Sequence, residues 1–362
     1  MKPIYEGAKK DADAVALYAL AIFYAAGYEN WSDEGTPTGN WQELIDVLEG
    51  GLKHHPKHLG LTHTYIHAVE ESPRPERALD AADALRGLKI FTPSFGHLVH
   101  MPAHIYVRTG NFHLSVDSNE QTATMPTDTL SEEFRLWHYN HVLNFLLFSY
   151  AMQGNSAMVS KTLDRKFGFF APRYSDQRPR YWVRFKRWDD ILKEPDPAAG
   201  SRPATLAAWR WAKAMAYAVE GDAEKAKSEW AKEPADTSAL WNIDDLRIAA
   251  TIARSAGDRK TEIEALTKGV AAEDTLDYSE PPLSVSPLRE NLGGALLRDG
   301  QNAEAEKVFK EDLLRNRGSG RSLFGLMTAL EAQGKKDEAS KVGSEYRKAW
   351  KYADVTLTVS DL

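Results

Sequence analysis

Apolar residues recur along most of this chain at the three- and four-residue spacing of amphipathic helices. Glycines separate many of these runs, at Gly110, Gly154, Gly221, Gly257, Gly300 and Gly334. A glycine can adopt the left-handed conformation that turns a chain between two antiparallel helices. Because no long run alternates apolar and polar residues between turn residues, strands are not expected. The pattern therefore predicts an all-α protein built from helical hairpins.

The spacing of the glycines predicts stacked repeats. Gly300 and Gly334 are 34 residues apart, which is the period of the tetratricopeptide repeat (TPR), whereas other steps are longer. Alanine follows three of the glycines after five residues and would let the second helix of a hairpin pack closely, at Ala226, Ala305 and Ala339. We expect one continuous TPR-like α-solenoid with histidine-rich repeats over 1–160, an irregular connector over 161–205 with one short helix around 180–192, and further repeats over 206–362.

Histidines are concentrated in the first half: all 11 lie between His54 and His141. Several form pairs at helical spacing, His63 with His67, His100 with His104, and His138 with His141. A step of 37 residues leads from His63 to His100 and again from His104 to His141. Each pair falls in the predicted first helix of a hairpin, so adjacent helices would present imidazoles to the same concave groove. Pro102 requires a helix start or a kink between His100 and His104.

These pairs predict a transition-metal site. Imidazole suits Fe, Cu or Zn better than Mg or Ca, and so many histidines would serve one ion or two. The predicted ligands are His63, His67, His97, His100, His104, His138 and His141. Glu70 is a candidate ligand, catalytic base or hydrogen-bond acceptor that orients an imidazole. The alternative is a buried hydrogen-bond network without metal. His54, His55, His58 and His113 are expected at the surface or as helix caps.

Composition excludes several classes of function. The net charge of −7 disfavours nucleic-acid binding, which a basic excess usually supports. No apolar run reaches the ~18 residues of a membrane span, and the opening lacks the pattern of a secretory signal. We therefore expect a cytoplasmic protein, although a chain without cysteine suits either redox environment. Without cysteine, a metal ion would have nitrogen and oxygen ligands.

Three phrases of the sequence are distinctive: HTYIHAVEESPRPERAL, GHLVHMPAHIYVRTG and SEPPLSVSPLRENLGGALL. They resemble phrases shared by a family of bacterial and fungal TPR-containing proteins, H-x-x-x-YIHAVE-x-SP-x-PERAL, GHLVHMP-[SA]-HIY-x-R-x-G and EPP…P-x-RE-x-LG-x-ALL. The resemblance covers most of the chain and implies an α-solenoid, but no particular reaction. Where the family tends to read HN-x-HF, this chain has Asn144 in place of a histidine, and His138 could substitute from one turn earlier.

The leading functional hypothesis is a metalloenzyme that acts on a small molecule in the groove. An oxidoreductase that uses dioxygen is favoured over a hydrolase. Glu70 and Tyr65 are the candidate catalytic residues, and Tyr106, Arg108, Arg289 and Glu280 are candidates for substrate binding. An ion pair between Arg289 and Glu290 is an equally good structural explanation of those two residues. The alternative functions are a non-catalytic scaffold that binds a protein partner in its groove, and a structural or storage metal site.

Overall fold

The computed structural model describes the chain except for 28–29, 33, 89–91, 93–94, 126–130, 166–176, 199 and 234–238, and for the side chains of 133–136. Residues 166–176 of the predicted irregular connector therefore lie outside the described part of the chain. The described part is all-α: it contains no β-strand, and one isolated bridge pairs Trp31 with Pro37. None of its helices has the length and apolarity of a membrane span.

The chain divides into two compact units, Met1–Ser149 and Tyr150–Leu362. The predicted division at 160 and 205 stays a prediction. The helices of the first unit are α1 (Lys2–Gly7), α2 (Ala12–Ala25), α3 (Trp41–His54), α4 (Leu59–Val69), α5 (Leu79–Arg86), α6 (Gly96–His100), α7 (Pro102–Arg108), α8 (Phe112–Ala123) and α9 (Glu132–Met152), the last of which continues into the second unit. A short 3-10 helix, Pro75–Ala78, precedes α5.

The second unit continues the succession of helices. They are α10 (Ser156–Leu163), α11 (Gln177–Arg184), α12 (Trp188–Lys193), α13 (Pro203–Val219), α14 (Ala223–Trp230), α15 (Ala239–Ser255), α16 (Arg259–Glu273), α17 (Leu288–Arg298), α18 (Asn302–Arg315), α19 (Gly320–Ala332) and α20 (Lys336–Ala349). A 3-10 helix, Val359–Asp361, follows. From α13 to α20 each helix packs against the next one along the chain, and α13 with α15 and α17 with α19 also touch. These contacts fit stacked hairpins.

The turn glycines have the predicted conformation. All six have φ between 71° and 84°, and a helix begins two residues after each. This left-handed conformation is strained for residues that carry a Cβ atom. The alanines five residues after three of these glycines are buried at hairpin contacts, as predicted: Ala226, Ala305 and Ala339. Local sequence thus fixes where these hairpins turn.

The expectation of one helix around 180–192 is corrected, because the segment contains both α11 and α12. Lys186 interrupts it with a positive φ of 55°. Its N–H donates to the carbonyl of Val183 at 3.0 Å, and the N–H of Arg187 donates to that of Trp182 at 2.9 Å, which closes the end of α11. A lysine gives no local signal for this left-handed turn.

Close helix packing forms the core of the second unit. The ring of Phe309, on α18, is fully buried between Gly293 of α17 and Gly325 of α19. A Cβ atom at either glycine would overlap the ring. The first unit has its own core, in which Leu44, Leu48 and Ile66 are fully buried among the helices α2 to α5. That core holds α4 in place, and α4 carries the first two histidines of the site described next.

Candidate metal centre

Seven histidines of the first unit form a contiguous cluster. Helix α4 supplies His63 and His67, α6 supplies His97 and His100, α7 supplies His104, and α9 supplies His138 and His141. Centroids of neighbouring rings lie between 4.8 and 6.2 Å apart. The structure thus brings together all of the predicted histidine ligands. The other four lie elsewhere: His58 caps α4, His55 bonds to the Lys10 carbonyl, and His54 and His113 are exposed.

The break predicted at Pro102 is present, and it leaves the histidine pair intact. Helix α6 ends at His100, and α7 begins at Pro102. Proline has no backbone N–H, but the first residue of a helix needs none, because its N–H would have no partner within the helix. Met101, between them, keeps helical backbone angles of φ −48° and ψ −38°. His100 and His104 therefore remain one turn apart, and their Nε2 atoms are separated by 2.9 Å.

The protonation of His100 is set by Asn119 on α8. The amide nitrogen of Asn119 donates to the carbonyl of Ser115 at 2.8 Å, which leaves the amide oxygen facing His100 Nδ1 at 2.6 Å. A carbonyl oxygen can only accept, so Nδ1 of His100 is the donor. In the neutral ring, Nε2 then carries the lone pair.

Glu70 sets the protonation of two further imidazoles. Its carboxylate accepts from His67 Nδ1 at 2.8 Å and from His104 Nδ1 at 2.6 Å. Burial acts to raise the pKa of Glu70, but its interactions with His104 and then His67 hold that pKa well below its usual range. Because the carboxylate is ionised and only accepts, both Nδ1 atoms donate, so Nε2 is the nitrogen of each ring that remains for a metal ion. Metal-binding histidines typically donate their other ring N–H to a carboxylate or a carbonyl in this way.

The histidines fall into two groups with metal-ligand spacing. One ligand atom from each of His63, His67 and His97 lies within 4.8 Å of the others, and the same holds for His100, His104 and His141. His63 and His97 approach with their Nε2 atoms 3.1 Å apart, and His141 Nε2 lies 3.4 Å from His104 Nε2. Both groups could hold a metal ion. His138 is outside these groups and lies against the rings of His97 and His100.

Burial lowers the pKa of five of the seven histidines. Desolvation lowers the pKa of His63 and of His138 to about 4, and that of His141 to about 3. The pKa of His97 falls to about 2 because of burial and then the charges of neighbouring histidines. His100 is shifted well below its ordinary pKa for the same reasons. These imidazoles are thus neutral at physiological pH, which is the form that binds metal.

One side of the cluster is partly exposed to solvent. His100, His104 and His138 are fully buried, whereas His63, His67, His97 and His141 are partly exposed. Trp137 is 54% exposed, and its ring stacks on His141 at 5.8 Å and lies 5.8 Å from His97. Phe145 closes the inner side, with ring centroids 4.8 Å from His104 and 5.0 Å from His141.

The other predicted site residues have structural partners. The Tyr65 hydroxyl donates to Glu49 at 2.6 Å, on the side of α4 away from His63 and His67. The Tyr106 hydroxyl donates to Asp83 at 2.5 Å, and the side chain of Arg108 donates to the backbone carbonyl of Glu70 at 2.9 Å. The structure therefore does not bring the Tyr65 and Tyr106 hydroxyls to the histidines.

Arg289 and Glu280 belong to the second unit. Glu280 lies between α16 and α17, and Arg289 makes a two-pronged ion pair with Asp274 at 2.6 and 2.7 Å. The expected ion pair between Arg289 and Glu290 is wrong: Glu290 pairs with Arg184 and Arg321 instead, so both residues form structural ion pairs with other partners.

Sequence reasoning missed Asn119 and Trp137. A signal for Asn119 was present: Ser115, Ser118, Asn119 and Thr122 lie at the i, i+3, i+4, i+7 spacing of a core face, yet all four are polar. Such a buried polar stripe indicates a hydrogen-bond network or a site. Trp137 gave no such signal, since its contacts depend on how α9 packs against α6.

Comparison with models of known protein families and with curated proteins finds no match for this chain. The resemblance to TPR-containing proteins therefore stays a prediction.

Proposed function

We propose that this protein is a metalloenzyme that binds two transition-metal ions in its histidine cluster and oxidises a small molecule with dioxygen. One observation carries the proposal. The Nε2 atoms of His100 and His104 face each other at 2.9 Å, while both Nδ1 atoms already donate to other residues. If neither atom carries a proton, lone pairs at this distance repel unless a cation lies between them or beside them. A metal ion held by both atoms would be that cation, and His100, His104 and His141 have metal-ligand spacing.

The ligand chemistry favours redox-active ions. Each group offers three imidazoles, and Glu70 is engaged by two Nδ1–H groups. Imidazole ligands suit Cu, Fe and Zn, and three protein ligands leave a coordination position for another molecule. Neutral ligands also favour the lower oxidation state of Cu or Fe, the state that reacts with dioxygen. The partly exposed side beside Trp137 would admit the substrate.

Metal content tests the first half of the proposal. Untagged protein, purified without chelators or a nickel column, should contain two equivalents of Cu or Fe by ICP-MS, one for each histidine group. His63→Ala should remove the ion of the first group and His141→Ala that of the second, because each variant leaves two of three ligands. His113→Ala, an exposed histidine outside the cluster, should retain both ions. Substoichiometric metal that added Cu, Fe or Zn cannot restore would overturn the proposal.

Oxygen uptake tests the second half. Reduction of dioxygen to hydrogen peroxide takes up two electrons and two protons, and ascorbate can supply both. In an oxygen electrode, the loaded protein should consume dioxygen with ascorbate, and His141→Ala should lose this uptake while His113→Ala keeps it. Stoichiometric zinc without uptake would contradict the redox assignment and favour a hydrolytic or structural site.

A further inference from the structure

The second unit contains a cationic pocket that the proposed function does not use. Its cavity of about 360 Å³ is of the size that holds a small ligand. Residues of α11, α12, α13, α15, α16, α17 and α19 and of the segment after α20 line it. Among them are six cations, Arg184, Lys186, Arg247, Arg254, Arg298 and Arg321, against the side chains of Glu262, Glu290 and Asp361 and the α-carboxylate of Leu362. The lining therefore has an excess of positive charge.

Four of the six cations have carboxylate partners. Glu290 pairs with Arg184 at 3.1 Å and with Arg321 at 2.9 Å, Glu262 pairs with Arg298 at 2.6 Å, and Asp361 pairs with Lys186 at 2.8 Å. The other two cations are Arg247, which pairs with no carboxylate of the lining, and Arg254. They lie seven residues apart on α15, hence two turns apart on the same face.

Arg247 is buried and bonded to neutral acceptors. Its guanidinium donates to the amide oxygen of Asn291 at 2.6 Å and to the carbonyl of Ser286 at 2.5 Å. The nearby carboxylates bind other groups, since Asp244 pairs with Arg180 and Glu273 accepts from the N–H of Leu288. Burial lowers the pKa of Arg247, which reflects the cost of a desolvated charge. An anion in the pocket would offset that cost.

Arg254 lies at the other end of this face. It donates to the backbone carbonyl of Ser360 at 2.8 Å and to an oxygen of the α-carboxylate of Leu362 at 3.1 Å. Burial lowers its pKa, and the charge of Arg298 adds to this effect. Trp188, Met215 and Leu266 give the pocket an apolar part beside these charges.

We propose that this pocket binds a small organic anion through Arg247 and Arg254. Guanidinium groups match carboxylate and phosphate oxygens in geometry and charge, so the ligand carries one of these groups. The apolar side chains would contact the remainder of the molecule. This site is separate from the histidine cluster and does not depend on a bound metal.

The test uses the full chain with two probes, sodium phosphate and sodium succinate, each at an ionic strength matched with sodium chloride. Calorimetric titration should show saturable binding of at least one probe, and the one that binds identifies phosphate or carboxylate chemistry. Arg247→Gln and Arg254→Gln should each weaken binding at least tenfold. Arg315→Gln, the same change at an arginine outside the pocket, should stay within twofold of the wild type.

Helical circular dichroism shows which variants fold. If Arg247→Gln fails to fold because its site is buried, the less buried Arg254 variant decides the question. Absence of saturable binding of both probes would overturn the proposal. Wild-type affinity in a folded Arg254→Gln variant would overturn it as well. Because none of the variants changes a histidine of the cluster, the comparison of the variants with the wild type does not depend on a metal ligand.

Discussion

At the scale of single residues, the histidine cluster depends on two oxygen acceptors that orient its rings. Asn119 fixes the Nδ1–H of His100, and Glu70 fixes those of His67 and His104. Each acceptor leaves Nε2 as the ring nitrogen that remains for a metal ion. In metal centres such outer contacts set the tautomer and the ring orientation. The metal affinity of the cluster should therefore respond to residues that touch no ion.

Asn119→Leu tests this expectation. The substitution leaves the Nδ1–H of a fully buried imidazole without its acceptor, which should lower the free energy of unfolding by about 1–3 kcal/mol. It should also weaken metal binding about 10- to 100-fold, measured by competition with a chelator of known affinity. Asn119→Asp is the matched control, because its carboxylate still accepts from His100 and should preserve most of the affinity. Equal affinities for both variants would refute an orienting role for Asn119.

At the scale of helices, polar groups as well as apolar packing join the hairpins. Asp312 of α18 is fully buried and accepts from Ser322 of α19 at 2.6 Å and from Asn316 at 2.9 Å. Burial, and then the charge of Glu290, raise the pKa of Asp312 to about 7 from an ordinary value of 3.8. The contact between α18 and α19 should therefore be sensitive to pH.

The direction of that dependence follows from proton binding. Between pH 3.8 and about 7 the folded protein binds a proton at Asp312 that the unfolded chain releases. The free energy of unfolding thus rises as the pH falls below 7, by at most about 1.4 kcal/mol per pH unit. Above pH 7 the folded protein also releases this proton, and the stabilisation by proton binding is lost. Asp312→Asn removes the titrating group. Urea denaturation at pH 5, 6, 7 and 8 should show the wild type gaining stability relative to the variant at low pH. If the stabilities of the wild type and the variant changed with pH in parallel, the raised pKa of Asp312 would be contradicted.

At the scale of the whole molecule, the two units carry different candidate sites. The histidine cluster is built from α4, α6, α7 and α9, whereas the arginine pocket is built from α11 and later elements. A ligand that binds only the folded state stabilises the segments that hold it. Each ligand should therefore protect its own unit.

Hydrogen–deuterium exchange can resolve these effects along the chain. Loading the metal-free protein with Cu or Fe should slow exchange in α4, α6, α7 and the first half of α9, because ions link these helices. The amides of α15 to α19 should be unchanged by the metal. The double variant His63→Ala, His141→Ala serves as the control and should lose the protection. Protection spread evenly over both units would show that the metal acts elsewhere or through global stability.

The sequence by itself determined the helical hairpins and the composition of the site. Glycines at the turns and apolar residues at helical spacing are local signals, since a helix and its turn involve residues close in sequence. The spacing of His63 with His67 and of His100 with His104 likewise placed each pair on one helix face. The sequence also predicted the helix break at Pro102, because proline lacks the backbone N–H that a helix interior needs.

Only the tertiary structure decided which groups meet between helices. His63 meets His97 across 34 residues, Glu70 meets His104 across 34, and His100 meets Asn119 across 19. Helical periodicity gives the face of one helix but not its rotation and depth against a neighbour. For the same reason Arg289 pairs with Asp274, and Glu290 with Arg184 and Arg321. The orientation of the imidazole lone pairs, on which the metal proposal depends, exists only once these helices have packed.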